Sequence, residues 1–499
     1  MSFNTLICEL VGYATRKGLI EKDDRAYAVS RLLEILELSD FCECEVMEER
    51  ELHLILEDIC DAALESGVLK DGGIVSRDLF DTKLMGALVD RPSNVIKKFY
   101  ELYKDSPEAA TEYFYNLSCD SNYIRTDRIK KDLKWKYSSK YGEIDITVNL
   151  SKPEKDPKAI AAARFQAQTD YPKCLLCHEN EGFAGTLTKP ARQNLRQIPF
   201  DMAGTRWYLQ YSPYVYYNEH CIALSEDHYP MTVNAKTVEK ILNFVETFPH
   251  YFIGSNAGLP VVGGSILSHD HMQGGRYTFA MEKAKVDTPL TFRGFEDVYA
   301  CKVEWPMAVI RLRAKDKSRV AALAAKIFET WEKYSDESAG IYAFTDGEPH
   351  NAITPIARRR GEDFEVDLVL RNNLTSEQFP LGIFHPHPRH HNIKKENIGL
   401  IEVMGLAVLP SRLKTEMAEV RECILGGVDL ADRESTQKHK EWFEAFKDSY
   451  TFTEENTEEI LKQEIGKTFV RVLEDASVYK TDEAGRAAFM RYVDFTNSI

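Results

Sequence analysis

Two histidines and a glutamine stand at alternate positions in the stretch GGSILSHDHMQGG, which covers residues 263–275. In a β-strand, alternate side chains point to the same face of the sheet. A strand here would place His269, His271 and Gln273 on one face and Asp270 on the other. Two imidazoles and an amide are poor material for a hydrophobic core, so the pattern favours an active site.

The chemistry that this pattern allows is transfer of a phosphorus-containing group. A neutral imidazole can attack phosphorus and form a phosphoramidate, which divides one difficult transfer into two easier steps. The other ring nitrogen then needs a fixed partner, which a backbone carbonyl of the motif could provide. Gln273 could donate an N–H to a phosphoryl oxygen, and Gly263 and Gly264 would let backbone amides approach a phosphate. The alternatives are two structural histidines, or two metal ligands without catalysis.

A second candidate site is the segment CLLC, in which Cys174 and Cys177 are separated by two residues. Two thiolates on a tight turn can reach one ion, so the pair is typical of half of a tetrahedral zinc site. The sequence has no second pair of this spacing, so histidines would complete the site, and we favour His228 and His269 over the adjacent His178. A redox pair or a chance pair is the alternative.

The elements that must position these residues follow from hydrophobic spacing. Residues 1–135 and 435–499 show helical periodicity, whereas 136–290 and 291–434 each combine β-prone runs with a helical segment. This order predicts an α+β fold with two units of similar build, each with an antiparallel sheet and packed helices, flanked by helical N- and C-terminal extensions.

Length and charge narrow the class of protein. The chain has 499 residues, enough for two to four domains, and 43% hydrophobic with 28% charged residues suits a globular protein with a sizeable core. A net charge of −16 disfavours nucleic acid as a partner. The sequence shows neither a secretion signal nor an apolar run of membrane-spanning length, so we expect a cytoplasmic protein without a membrane partner.

Several segments resemble the galactose-1-phosphate uridylyltransferases, a branch of the histidine-triad superfamily. GGSILSHDHMQGG is similar to their His-x-His-x-Gln strand, CLLCHENEG to their cysteine-pair segment, and CIALSEDHYPMTV to the segment with a zinc-binding histidine. SNAGLPVVGGS resembles the Asn-x-Gly run, and FHPHPRHHNIKKENIGLIEVMGLAVLP resembles a later His-x-His followed by a strand that ends in a glutamate. The order agrees over about residues 140–430. The helical extensions and PARQNLRQIP resemble the bacterial second class of the family.

This resemblance implies an activity and its partners. The enzyme would move a uridylyl group from UDP-glucose to galactose-1-phosphate, giving UDP-galactose and glucose-1-phosphate, through a uridylyl-histidine intermediate. The reaction belongs to galactose metabolism by the Leloir pathway. The resemblance also implies two histidine-triad-like units, at residues 136–290 and 291–434, and a homodimer that binds UDP-sugars and hexose-1-phosphates.

The resemblance also implies roles for individual residues. His271 would be the nucleophile and Gln273 would hold the phosphoryl oxygens. A structural zinc ion would be held by Cys174, Cys177, His228 and His269. Asn256 would help to hold the motif or the phosphate, and either Ser265 or Ser268 would contact phosphate. Glu402, near the end of the later strand, would bind hexose hydroxyls. Arg192 and Arg196, four residues apart, would point the same way in a helix and are candidates for phosphate binding.

Two departures from the family pattern leave alternatives open. The family often has proline between the two histidines, where this chain has Asp270. One extra residue precedes the first histidine, so the choice between Ser265 and Ser268 stays open.

The rival functions are another histidine-triad transferase or hydrolase, such as a dinucleoside polyphosphate phosphorylase, and a non-catalytic, zinc-stabilised nucleotide-sugar binder.

Overall fold

The computed structural model describes residues 1–46, 48–150, 170–264 and 266–499 of the chain. The chain forms two compact units, each built from segments that are not contiguous in sequence. Of the described residues, the first unit comprises 1–46, 48–131, 170–215 and 219–229, and the second comprises 132–150, 216–218, 230–264 and 266–499. The domain boundaries expected after residues 135, 290 and 434 stay a prediction.

The helices in chain order are α1 (Phe3–Arg16), α2 (Arg25–Ile35), α3 (Leu52–Glu65), α4 (Ile74–Gly86), α5 (Pro92–Tyr103), α6 (Pro107–Asp120), α7 (Thr126–Ile129), α8 (Ala235–Thr247), α9 (Ala280–Lys283), α10 (Lys317–Trp331), α11 (Leu400–Val403), α12 (Arg412–Gly426), α13 (Lys440–Glu444), α14 (Thr457–Asp475) and α15 (Glu483–Ser498). None of the described helices combines the length and the apolar character needed to cross a membrane.

The strands in chain order are β1 (Leu133–Ser139), β2 (Gly142–Val148), β3 (Ile198–Met202), β4 (Thr205–Tyr211), β5 (Cys221–Ser225), β6 (Phe252–Gly254), β7 (His271–Gly275), β8 (Val286–Leu290), β9 (Tyr299–Val303), β10 (Val309–Ala314), β11 (Phe344–Thr345), β12 (Glu348–Pro349), β13 (Asn351–Arg360), β14 (Asp363–Asn372) and β15 (Leu406–Leu409). Helices and mainly antiparallel strands confirm the predicted α+β class.

The first unit combines helices α1 to α7 with three antiparallel strands in the order β3-β4-β5. Helix α1 begins at the N-cap Ser2, whose hydroxyl accepts the backbone N–H of Thr5. The apolar residues Leu6, Ile7, Leu10, Val11 and Ala14 are buried at the helical spacing that the sequence predicts, and Cys8 and Glu9 between them are buried as well. They pack against α2 and α3, so the N-terminal helices share a core rather than standing alone.

The second unit contains seven strands paired antiparallel in the order β7-β6-β13-β14-β10-β9-β8. Helix α8 packs on β6 and β13, and α10 packs on β10, β13 and β14. Helix α8 is amphipathic and buries Val238, Ile241 and Leu242, so its apolar face covers the strands next to β7. The strand that carries the histidine motif therefore lies beside a well-packed part of the unit.

A smaller sheet in the second unit is formed by β1, β2 and β15. Strand β15 pairs parallel to β2 and β1 pairs antiparallel to it. Helix α14 packs on β1, and a Cβ atom at Gly466 would lie 2.3 Å from the ring of Tyr137. Glycine is therefore required where the helix meets this sheet.

Two local expectations about the site were wrong. Strand β7 begins at His271, so His269 precedes the strand instead of sharing its face. The ladder is short because β6 pairs only through Phe252–Gly254. Glu402 lies in α11, not near the end of a strand, and its carboxylate accepts the backbone N–H of Gly399, a contact typical of the first turn of a helix.

Candidate active site

The imidazole of His271 is held by a main-chain contact. Its Nδ1 lies 2.8 Å from the carbonyl oxygen of His269. A carbonyl only accepts, so Nδ1 carries the proton and Nε2 carries the lone pair. Among the described residues, no hydrogen-bond partner occupies Nε2. Burial lowers the pKa of His271. The result is a neutral imidazole with one fixed nitrogen and one nitrogen able to attack.

Gln273 lies on β7 opposite Gly254 of β6. A Cβ atom at Gly254 would lie 2.7 Å from the side chain of Leu400 and 2.9 Å from the carbonyl oxygen of Pro355. The glycine therefore lets β6 pass close to these groups while pairing with Gln273. This contact fixes the main chain of Gln273 two residues beyond His271.

The sequence analysis missed Tyr217, which supports the same strand. Its hydroxyl donates to the carbonyl oxygen of Gly274 at 3.1 Å, and the ring packs with Phe252 and Phe279. The tyrosine lies in an aromatic run, YVYY, which gave no sign that one hydroxyl would reach β7. Only the fold could identify it.

Asn256 and Gly264 lie against each other in the loop before the motif. A Cβ atom at Gly264 would lie 2.6 Å from the side-chain nitrogen of Asn256. The Asn256 side-chain oxygen accepts the backbone N–H of Leu400 at 2.9 Å. Asn256 therefore connects this loop to α11. Ser268 is exposed, and Ser265 lies outside the described residues.

The carboxylate of Glu402 has two internal partners. One oxygen accepts from Lys394 Nζ at 2.7 Å and the other from the backbone N–H of Gly399 at 2.9 Å. Glu402 is 9% exposed. These contacts stabilise the start of α11, and the expected contact with hexose hydroxyls stays a prediction.

Arg192 and Arg196 do not lie on a helix, because the chain from residue 191 to residue 197 contains only a turn. The guanidinium of Arg196 is buried and donates to four main-chain carbonyls, those of Val89, Asp90, Gln193 and Leu195. Arg192 lies over the ring of Tyr123. For Arg196 these contacts favour a structural role, and phosphate binding by either residue stays a prediction.

The cysteine pair forms a tight turn stabilised by Asn180, another residue that sequence analysis missed. The Asn180 amide donates to the carbonyl oxygens of Cys174 and Cys177, both at 2.8 Å. The two sulfurs are 3.5 Å apart, and Cys177 Sγ is 3.2 Å from His228 Nδ1. Burial raises the pKa of the Cys177 thiol to about 11, so a bound cation would be needed to stabilise its thiolate.

The four predicted metal ligands lie together. Cys174, Cys177, His228 and His269 offer ligand atoms that all lie within 4.8 Å of one another. Ligand atoms around a tetrahedral zinc ion are separated by about 3.3–3.8 Å, given metal–ligand distances of about 2.0–2.3 Å. The donor set fits zinc in identity, and the distances of 3.5 Å between the two sulfurs and 3.2 Å from Cys177 to His228 are close to this spacing. His178, the less favoured candidate, stacks on the ring of Tyr208 and is outside this group.

Two models of one protein family and several relatives of that family match most of this chain. The family model for the N-terminal domain of galactose-1-phosphate uridyl transferase matches residues 18–230, and that for the C-terminal domain matches residues 239–444. Galactose-1-phosphate uridylyltransferase of Clostridium acetobutylicum is 50% identical, over 98% of this chain and 99% of its own. The Fusobacterium nucleatum enzyme of that name is 49% identical, over 99% of each. The superposition on the crystal structure of yeast Ap4A phosphorylase Apa2 covers 66% of this chain and 91% of the Apa2 chain, with 10% sequence identity and a TM-score of 0.33.

Proposed function

This chain belongs to the galactose-1-phosphate uridyl transferase family, and on that premise we propose how its residues transfer a uridylyl group. The enzyme takes the group from UDP-glucose and gives it to galactose-1-phosphate. The products are UDP-galactose and glucose-1-phosphate. The observation that carries this mechanism is the orientation of His271, whose Nδ1–H is bound to the His269 carbonyl.

The first half-reaction forms one bond and breaks one. The lone pair of His271 Nε2 attacks the α-phosphorus of UDP-glucose, the P–O bond to glucose-1-phosphate breaks, and the electron pair leaves with that oxygen. The ring then carries positive charge and keeps its proton on Nδ1. The hydrogen bond to the His269 carbonyl strengthens as this charge develops. No proton has to move in this step.

The second half-reaction reverses the first with a different acceptor. A phosphate oxygen of galactose-1-phosphate attacks the same phosphorus, the P–N bond breaks, and UDP-galactose leaves. His271 returns to the neutral tautomer in which it began. Because one histidine serves both steps, donor and acceptor bind in turn rather than together.

Neighbouring polar groups stabilise the phosphoryl oxygens in this proposal. Gln273 donates its side-chain N–H to an oxygen that gains negative charge during transfer. Asn256 fixes the loop in which the backbone of Gly264 approaches phosphate, and Ser265 or Ser268 supplies a hydroxyl. Glu402 contacts hexose hydroxyls, and Arg192 and Arg196 are the remaining candidates for phosphate contacts.

We propose zinc as the ion of the cysteine and histidine group. Cys174, Cys177, His228 and His269 would hold it, and the support is their identity and spacing. When bound, zinc supplies structural cross-linking of these segments and no step of the transfer. Zinc would affect catalysis indirectly. It would hold the side chain of His269, and the backbone carbonyl of the same residue orients His271.

The cellular setting is also a proposal. We place the enzyme in the cytoplasm as a homodimer without nucleic-acid or membrane partners. The support is the net charge of −16 and the family resemblance. Two histidine-triad-like units, at residues 136–290 and 291–434, are proposed on the same resemblance.

A kinetic experiment tests the activity. The purified protein is incubated with varied UDP-glucose at several fixed concentrations of galactose-1-phosphate, and UDP-galactose and glucose-1-phosphate are quantified. We expect stoichiometric formation of both products and parallel lines in double-reciprocal plots, which indicate a substituted-enzyme mechanism. Phosphorolysis of diadenosine tetraphosphate at a higher rate would favour the phosphorylase alternative. Binding of UDP-glucose without exchange would favour the non-catalytic binder.

A further inference from the structure

A buried ion pair lies directly beside the proposed nucleophile. Asp270 stands between His269 and His271, and its carboxylate lies 2.9 Å from Lys240 Nζ. The Asp270 side chain is 4% exposed and that of Lys240 is 19% exposed. A carboxylate at this depth requires a counter-charge, and removing one partner of such a pair is strongly unfavourable. The pair therefore fixes the position of the Asp270 side chain.

The lysine is held on a rigid element. Lys240 lies in α8, which begins at the N-cap Asn234, whose side chain accepts the backbone N–H of Lys236. The apolar face of α8 packs on β6 and β13. A lysine on a mobile loop could move together with the carboxylate. Lys240 instead lies on a packed helix, so it restrains the position of the Asp270 carboxylate.

The pair is linked to the nucleophile through one peptide unit. The peptide bond between His269 and Asp270 contains the carbonyl oxygen that binds His271 Nδ1 at 2.8 Å. Rotation of that peptide would turn the carbonyl away and release the imidazole. Fixing the Asp270 side chain restricts this rotation. A continuous connection thus runs from α8 through Lys240, Asp270 and the His269 carbonyl to the ring of His271.

We propose that Lys240 is a positioning residue for uridylyl transfer, acting through Asp270 on the peptide that holds the His271 imidazole. This inference rests on the proposed function of His271. In this proposal Lys240 acts through Asp270 and not by contact with substrate. Its contribution is to keep Nε2 aimed at phosphorus, so its loss slows the chemical step more than it weakens substrate binding.

The test compares four variants with the parent enzyme, loaded with zinc. Lys240→Met removes the charge, and Lys240→Arg keeps it. Lys240→Met/Asp270→Asn removes both charges and so separates the loss of the ion pair from the cost of a remaining buried charge. Lys236→Met removes an exposed lysine one turn earlier in α8 and serves as the matched control. The measurements are the single-turnover rate of uridylyl-enzyme formation at saturating UDP-glucose, the dissociation constant of UDP-glucose, the zinc content, and the histidine ¹⁵N spectrum.

We expect Lys240→Met to slow the single turnover by about 10- to 100-fold, since small misplacements of reacting groups have effects of this size. The dissociation constant should stay within about threefold and the zinc content should not change. Lys240→Arg should keep most of the rate, and Lys236→Met should match the parent. The double variant should stay slow because it lacks the ion pair that restrains the Asp270 side chain. The ¹⁵N spectrum should show a single Nδ1–H tautomer of His271 in the parent and a mixture in Lys240→Met.

Three results would overturn the inference. One is a parental rate in Lys240→Met. Another is a loss of rate in proportion to lost zinc or lost folded protein. The third is recovery of the rate in the double variant, which would mean that the single variant is slowed only by the remaining buried negative charge. If the parent forms no uridylyl-enzyme, the proposed function fails, and the ¹⁵N comparison alone decides whether Lys240 controls the His271 ring.

Discussion

Two segments of the second unit are rich in histidine, and they use it differently. In the segment from His269 to Gln273, the imidazole of His271 is fixed through Nδ1, and none of the described residues occupies Nε2. In the segment 385–391, ring nitrogens of all four histidines contact other groups. His385 contacts the Pro386 carbonyl and Asn397, and His391 contacts the same carbonyl.

The remaining two histidines of the second segment meet the buried carboxylate of Asp475. His387 Nδ1 lies 3.4 Å from this carboxylate while its Nε2 contacts the Ile383 carbonyl at 3.0 Å. His390 Nε2 lies 3.5 Å from the carboxylate and also accepts from Arg389. The difference shows that histidine content does not identify a nucleophile. His391 also has one ring nitrogen on a carbonyl, so what distinguishes His271, the proposed nucleophile, is its place on β7 with Gln273, two residues after the candidate metal ligand His269.

The largest expected effect comes from replacing the two kinds of histidine in parallel. His271→Gln should lower kcat by about 10⁴-fold or more, the scale seen when a covalent nucleophile is removed. His391→Gln should stay within about tenfold, because His391 lies outside the strand that carries the proposed nucleophile and its ring contacts the Pro386 carbonyl. Steady-state rates of UDP-galactose formation measure both. An equal loss of kcat in the two variants would mean that the two histidine segments do not differ in function.

A smaller effect is expected at the next polar position of the strand. Gln273→Leu removes the proposed donor to the phosphoryl oxygen and should lower kcat by about 10²- to 10³-fold, as loss of one such donor commonly does. Binding of UDP-glucose, measured by calorimetry, should change much less than kcat. A variant that binds UDP-glucose poorly but turns over at the parental kcat would assign Gln273 to substrate binding instead.

The metal group should affect catalysis less than the nucleophile does, since its role is structural. Cys177→Ser should lose bound zinc, lower the melting temperature and reduce kcat by about 10- to 100-fold. Elemental analysis and thermal unfolding measure the first two quantities. Cys42→Ser, at an exposed cysteine outside the group, provides the control and should keep its zinc. Full metal content in Cys177→Ser would remove this cysteine from the ligand set.

The second histidine segment should matter mainly for stability at low pH. Burial lowers the pKa of His390 to about 4, from an unfolded value of about 6.5. The unfolded chain therefore takes up a proton at a higher pH than the folded chain does. The stability that depends on neutral His390 is present above about pH 6.5 and is lost as pH falls towards about 4. The loss is at most about 3 kcal/mol.

Urea unfolding at pH 7.0 and pH 4.5 checks this prediction. The free energy of unfolding should fall between these values by less in His390→Gln than in the parent. The variant should keep most of its transferase activity at pH 7.0. An identical fall in both proteins would mean that other groups account for the acid sensitivity.

Helices and strands could be predicted from the sequence more accurately than the tertiary contacts between them. Helix α8, strand β10 and helix α14 follow from periodicity, and the four metal ligands follow from residue type together with family resemblance. The start of β7 at His271 could not be predicted, because it depends on pairing with the three-residue strand β6.

Partners that are distant in sequence account for the other misses. Tyr217 reaches Gly274 and Lys240 reaches Asp270 only through the tertiary fold. For Arg196, phosphate binding stays a prediction, but its contacts with main-chain carbonyls could not be predicted, because they depend on a turn and on a loop about a hundred residues earlier. Residue type indicates which groups can do chemistry, and the fold decides which of them have spare donors or acceptors.

The most direct test of the central claim is to trap the intermediate. The zinc-loaded enzyme is mixed with UDP-glucose labelled in the uridine, without an acceptor sugar. After free nucleotide is removed, intact mass is recorded and the labelled peptide is mapped. The account predicts one base-stable, acid-labile uridylyl group on His271 that galactose-1-phosphate discharges as UDP-galactose. A label on another residue, or transfer without any covalent label and at the parental rate in His271→Ala, would contradict it.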